Sequence, residues 1–152
     1  MLGGVFVAIV GIVLSPSLLE RAVIGSESLW IYIRPDDAEA FNGRCMARAL
    51  ANMELEVALS DCNESLKIRP NDANTLDSRG FVYFRMGQYG NAIVDYEAAL
   101  KKNPRLAASL YVRGVLKHRT GDTAGGDADI AAANALDPKI SDFYRRYGGV
   151  TP

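Results

Sequence analysis

Apolar side chains recur along this chain on two scales. On the shorter one they fall at helical spacing. Leu76, Gly80, Tyr83 and Phe84 share one side of one stretch, and Ala92, Ile93, Tyr96, Ala99 and Leu100 share one side of the next. An amphipathic helix shows this recurrence, so the pattern predicts helices over 73–86 and 89–102. Asn71 or Asp72 offers the cap oxygen for the first, Gly87 and Gln88 make the turn, and Asn103-Pro104 stops the second. On the longer scale the arrangement returns every 34 residues. Pro70, Pro104 and Pro138 keep that step. So do Asp61, Asp95 and Asp129; Ala58, Ala92 and Gly126; Ser65, Ala99 and Ala133; and Gly80, Gly114 and Gly148. Such a step is the length of one helix–turn–helix unit in a stacked helical array.

Aligned on this step, the repeat domain over 39–152 divides into units 39–72, 73–106 and 107–140, with a partial fourth first-helix over 141–148 capping the stack. The small residues predict close helix contact: Gly80 and Ala92 let two backbones approach, and Tyr83 and Tyr96 fill what remains. The first unit is degraded, with Asn42, Met46, Ala49, Ala58, Cys62, Ser65 and Pro70 at the matching places. Folding the middle hairpin about Gly87 sets Arg79 opposite Asp95 and brings Arg113 near the same carboxylate. Arg–Asp pairs are therefore expected to brace helices within or between units.

The middle unit, with Leu76, Gly80, Tyr83, Ala92, Tyr96, Ala99 and Pro104, resembles the tetratricopeptide repeat family. Leu76 replaces the usual first aromatic, and Arg79 stands where a second apolar residue is common. The resemblance covers 39–140. It implies an all-α fold, a right-handed superhelical array of antiparallel helix pairs with a C-terminal capping helix. It also implies a non-enzymatic protein–protein interaction module that binds a peptide or helix in its concave groove. First helices would line that groove through Asn74, Asp77, Phe81, Phe84 and Arg85, joined by Tyr111, Val115, His118 and Arg119. Unit one would add Ala40, Gly43, Ala47, Leu50 and Ala51. Aromatics mixed with cations suit a segment carrying apolar anchors and some acidic groups. A subset of the family grips a C-terminal carboxylate with a Lys/Asn clamp. Here the matching places hold Gly43, Ala47, Ser78, Ala108 and Val112, none of which can do so. The alternative is a structural scaffold that self-associates, making a homo-oligomer, or forms part of a larger stack.

Upstream of the repeats, residues 2–14 carry no polar side chain, and the uncharged stretch continues through Leu19. A helix of that length reaches about 27 Å, near the roughly 30 Å of a hydrocarbon core. The expectation is a hydrophobic segment over 1–19 acting as a transmembrane anchor, with partnership to a membrane through residues 2–19. A signal peptide, an ordinary buried helix or a misplaced start codon are the other readings. Residues 20–38 read as a linker. Trp30 and Tyr32 would rest at a membrane interface or cover the end of the stack, and Pro35, Asp36 and Asp37 would start the next helix. The expected location is the bacterial inner membrane with the repeats on the periplasmic side, the cytoplasmic side staying open.

Charge and chemistry then narrow the function. Seventeen basic residues face 18 acidic ones, which gives no electrostatic ground for nucleic acid. Cys45 and Cys62 are the only cysteines and form no CxxC, and His118 is the only histidine, so no metal site is expected. The two cysteines map onto Arg79 and Tyr96 of the next hairpin, which face each other. They read either as a disulfide stapling the degraded unit or as two reduced buried thiols. No GxxxxGK[ST], GxGxxG or GxSxG occurs, so no cofactor and no catalytic residue is expected. The glycine-rich run 120–126 reads as an inter-helix turn.

Overall fold

The computed structural model describes residues 16–152 of the chain. Helix α1 spans Pro16–Ile33. Three hairpins follow: α2 (Ala38–Ala51) with α3 (Leu55–Ile68), α4 (Ala73–Arg85) with α5 (Tyr89–Lys102), and α6 (Ala107–Arg119) with α7 (Thr123–Leu136). A short helix α8 (Ile140–Phe143) continues into a wider π-helical turn over Tyr144–Gly148. Among the described residues there is no strand, and the helix pairs stack side by side as an α-solenoid.

Local chemistry sets the ends of these helices. Asp37 caps α2 by accepting from the Glu39 and Ala40 amides at 3.0 and 3.3 Å. Asp72 caps α4 through the Thr75 amide at 2.8 Å, and Asp122 caps α7 through the Gly125 amide at 3.0 Å. Each repeat-ending proline forces its predecessor out of helical backbone. Arg69, Asn103 and Asp137 accordingly have ψ of 84°, 94° and 102°. Gly87 and Gly121 supply the left-handed turns of units two and three, at φ of 74° and 92°. Unit one lacks that glycine; there Asn52 and Glu54 take positive φ instead, a conformation costly for a residue such as glutamate.

The hairpins close on small residues. A Cβ on Gly80 would stand 3.1 Å from the Tyr96 ring. In unit three glycine occupies both sides of the contact. A Cβ on Gly114 would meet the Gly126 carbonyl at 2.9 Å and Ile130 at 2.8 Å. Large buried side chains fill the remaining space, chiefly Phe81, Val82, Tyr96, Tyr111, Val112 and Leu116. Across each hairpin an arginine fork holds a buried aspartate. Arg79 donates to Asp95 at 2.7 and 2.8 Å, and Arg113 donates to Asp129 at the same distances. Arg113 thus serves its own unit and not Asp95. In unit one Arg44 and Arg48 both reach Asp61.

Two expectations for the N-terminal region are corrected. Residues 20–33, read as linker, belong to α1, which packs along α2 and gives Arg44 a contact to Ser28 at 3.3 Å. Pro16 is the first residue of α1, a place where its missing N–H is no loss. Of the membrane anchor expected over 1–19, nothing is found among the described residues. Residues 16–19 open a helix that goes on through Glu20, Arg21 and Glu27, and no described helix is long and apolar enough to cross a membrane. The placement at a bacterial inner membrane with periplasmic repeats falls with it. The remainder of that expectation, residues 1–15, lies outside the described residues. On α1 the side chains of Leu29, Trp30 and Tyr32 are exposed and do not cover the end of the stack.

The glycine contacts predict opposite effects of one methyl group. Gly114→Ala should lower unfolding free energy, because overpacking costs about 1–3 kcal/mol and the helix-propensity gain is at most about 1 kcal/mol. Gly90, helical and with open space around it, should gain up to about 1 kcal/mol as Ala. Urea denaturation of both variants checks the sign.

Candidate protein-binding groove

First helices α2, α4 and α6 line the concave side. The residues expected there divide into three groups. Asp77, Phe81, Phe84, Tyr111 and Val115 are buried, Asn74 and Arg119 are exposed, and Arg85 and His118 are half-buried. Phe81 and Tyr111 are covered by the chain itself. After α8 the C-terminal segment turns inward and crosses the groove from α6 toward α2. Tyr144 packs edge-on against Phe81 with centroids 5.3 Å apart and stacks on Tyr111 at 5.7 Å. The Tyr111 hydroxyl donates to the Val150 carbonyl at 3.4 Å. Val150 itself is fully buried.

Arg85 binds this segment to the first unit. Its Nη1 donates to the Gly148 carbonyl at 2.7 Å, and its Nε to the Ala49 carbonyl at 3.1 Å. Gly148 fits because it lacks a side chain: a Cβ there would stand 3.2 Å from the Phe81 ring. Gly149 then takes φ of 60°, which turns the chain so that Val150 enters the core. Arg119 lies over the rings of Phe84 and Tyr89 and donates to the Tyr89 hydroxyl at 3.0 Å.

His118 does not face the groove. Its ring lies over Gly126 of α7, where a Cβ would come within 2.0 Å of Cδ2. Its Nε2 is 3.0 Å from an Asp127 oxygen but is not aligned for a hydrogen bond. The missing side chain at Gly126 makes the room that draws the imidazole away. Tyr144 and Gly148, expected only to cap the stack, and Val150, given no role, fill the groove, and Ser109 is buried against Asp77. The aromatics at 143, 144 and 147 and the Gly148–Gly149 pair beyond Pro138 were the available signal.

Asp77 stands apart from the other buried aspartates. Burial raises its carboxyl to about 6, and only the Ser109 hydroxyl, donating at 2.5 Å, opposes that rise. Asp129 shows the reverse. Burial alone would raise it, but Arg113 and Lys117 hold it below the usual carboxylate range. Asp77 also lines a cavity of about 490 Å³ between α1, α2 and α4, the part of the concave side that the C-terminal segment leaves open. Behind it Cys45 of α2 and Cys62 of α3 are joined by a disulfide, with Cα atoms 5.5 Å apart. No group of His, Cys, Asp and Glu side chains able to hold a metal ion occurs among the described residues.

Residues 80–121 match the family model for a TPR repeat. That stretch carries a tetratricopeptide repeat. No curated protein sequence matches the chain. Solved TPR-like structures do. A crystal structure of MamA superposes with a TM-score of 0.64 at 19% identity, covering 82% of this chain and 72% of that one. MamA 41-end from Desulfovibrio magneticus RS-1 gives 0.62 at 20% identity, covering 91% and 85%. The MamA RS-1 ArsTM double mutant gives 0.61 at 20%, covering 91% and 84%. At such identity the likeness concerns the TPR fold.

A pH dependence follows from Asp77. Its folded pKa lies above the ordinary 3.8, so its contribution to stability is full only below that value and is lost as pH rises through about 6. Between pH 5 and pH 7 the loss should be about 1 kcal/mol. Asp77→Asn should remove this component, read as the difference between the two unfolding-free-energy profiles over that range.

Proposed function

We propose that the chain is a non-enzymatic protein-interaction scaffold whose concave groove takes a peptide or helical segment of a partner protein. One observation carries this reading: the groove already holds a chain segment. Tyr144 sits between Phe81 and Tyr111, while Arg85 and Tyr111 donate to the carbonyls of Gly148 and Val150. An aromatic anchor with backbone carbonyls held on either side of a glycine is how a groove receives a peptide. In this reading the C-terminal segment is an internal occupant that a partner displaces. Its tether gives it a high effective concentration, so a partner must bind well or the segment must be loosened. The repeat architecture supports the same class of function.

The test uses the full chain and a labelled peptide of residues 141–152. A Tyr144→Ala/Val150→Ala variant, whose own segment is loosened, should bind the peptide roughly tenfold or more tightly than the parent, by anisotropy. A peptide carrying Tyr144→Ala should bind neither form. Equal binding of the native peptide to parent and variant, or binding to neither, rejects the groove.

We further propose that the Cys45–Cys62 bond forms in the folded protein and staples the first hairpin. Its sequence separation of 17 predicts that a reductant lowers unfolding free energy by about 3 kcal/mol. Denatured, unreduced protein should show no free thiol. Two reactive thiols would show that the bond is absent.

A further inference from the structure

The cavity at the α1 end of the groove has a mixed lining. Val23, Met46, Ala47 and Leu50 make its walls apolar. Asn42, Asn74, Asp77 and Ser78 interrupt them, and two of these present buried acceptors. Asp77 is buried and receives one hydroxyl, from Ser109. The Oδ1 of Asn42 is buried without a hydrogen-bond partner. A third acceptor stands at the edge. The Glu27 carboxyl carbon lies 3.2 Å from where a Cβ of Gly43 would be, and Gly43 lines the cavity. No lysine or arginine is among the described residues lining it. Arg85 touches the Leu50 carbonyl, but it lies eight residues along α4 from Asp77, about 12 Å. Its guanidinium is engaged by the carbonyls of Ala49, Leu50 and Gly148.

We propose that this cavity is the subsite for a lysine or arginine side chain of the bound partner segment, the stem lying along Val23, Met46 and Leu50 and the charged head on Asp77 and Asn42. The proposal rests on the groove reading and narrows it to partners that pair an apolar surface with a basic residue. Charge complementarity selects this occupant. Lysine and arginine bury their methylene stems against apolar walls and bring only donors to the tip. A neutral aliphatic side chain would leave Asn42 Oδ1 orphaned and Asp77 without a counter-charge. An acidic one would meet Asp77 and Glu27 as like charges. Burial holds the Asp77 carboxyl near 6, so a cation placed beside it stabilises the form that burial disfavours.

The experiment titrates the full chain, methyl-labelled at methionine, with N-acetyl-arginine amide, N-acetyl-norleucine amide and N-acetyl-glutamate amide. The Met46 methyl signal should shift saturably with the arginine compound, at least roughly tenfold more tightly than with norleucine. The glutamate compound should have no effect. Asp77→Asn and Asn42→Leu should each weaken the arginine response while leaving the norleucine response in place. Equal binding of arginine and norleucine compounds, or no saturable shift with either, overturns the proposal. If a variant fails to fold, the ligand series on the parent chain decides alone. The peptide of residues 141–152 contacts Phe81 and Tyr111 and not this cavity, so its binding separates failure of the subsite from failure of the groove.

Discussion

A buried carboxylate gripped by a guanidinium on the facing helix keeps each hairpin of this chain in register. Asp95 and Asp129 sit on second helices, and Arg79 and Arg113 reach them from first helices with both fork nitrogens. Removing one partner of such a pair would strand the other, at a cost of about 3–5 kcal/mol. A well-packed apolar pair would do as much for stability, so the ion pair's distinct contribution is orientation. Unit one shows how strict the constraint is. Cys45 occupies the place of the arginine, yet Asp61 is still held, because Arg44 and Arg48 converge on it from neighbouring turns of α2. The residue carrying the contact changes and the contact persists. With the hairpins fixed in this way, Phe81 and Tyr111 project to the concave side of the stack.

That concave side cannot remain an open aromatic cleft without consequence. Phe81, Phe84 and Tyr111 together would expose a large apolar patch, of the kind that soluble chains cover or use. Here the covering element is continuous with the stack. The 34-residue step carries Leu110 onto Tyr144 and Gly114 onto Gly148, so the segment starts as a fourth first-helix. It departs after a single helical turn. The π-helical turn and the left-handed Gly149 swing the chain off the stacking direction and into the groove. Beyond the burial of Tyr144 and Val150, its hold adds aromatic edges and stacks at about 0.5–1.5 kcal/mol each and hydrogen bonds to the carbonyls of Gly148 and Val150.

The repeat made the helices legible because a fixed step constrains both partners of every internal contact. Proline marks, cap aspartates and the small residues at hairpin crossings all followed from local chemistry. Arg113 was also set near Asp95, yet the step itself decides that contact: Arg113 pairs with Asp129 as Arg79 pairs with Asp95, each across 16 residues. What escaped was whatever does not repeat. His118 was placed in the groove by its helical position, but Gly126, with no side chain, opened room on the opposite flank. Residues 20–33 lacked a repeat register and read as linker. Their helix forms because α2 offers a surface for it, with Gly43 facing Glu27 and Arg44 facing Ser28. The burial of the groove depended on Tyr144 to Val150, whose identity as a partner of Phe81 no local rule encodes.

The four buried aspartates sharpen the difference between scaffold and site. Asp61, Asp95 and Asp129 are each held by arginine, and for Asp129 the arginine and Lys117 pull the carboxyl below its ordinary range against the effect of burial. Asp77 has the burial without the cation, and its carboxyl moves the other way. A raised carboxyl means that ionisation at neutral pH works against the fold, by roughly 1.4 kcal/mol per pKa unit. Ser109 alone does not cancel that. Helix geometry does not require a charge there either, since the equivalent position of unit three is Tyr111 and that of unit one is Gly43. Asp77 is therefore not part of the repeating brace. It lies where the groove stays open, beside an orphaned amide oxygen and an apolar wall. A charge that the fold opposes, set in a cavity the chain does not fill, is better explained by what binds there than by what it supports.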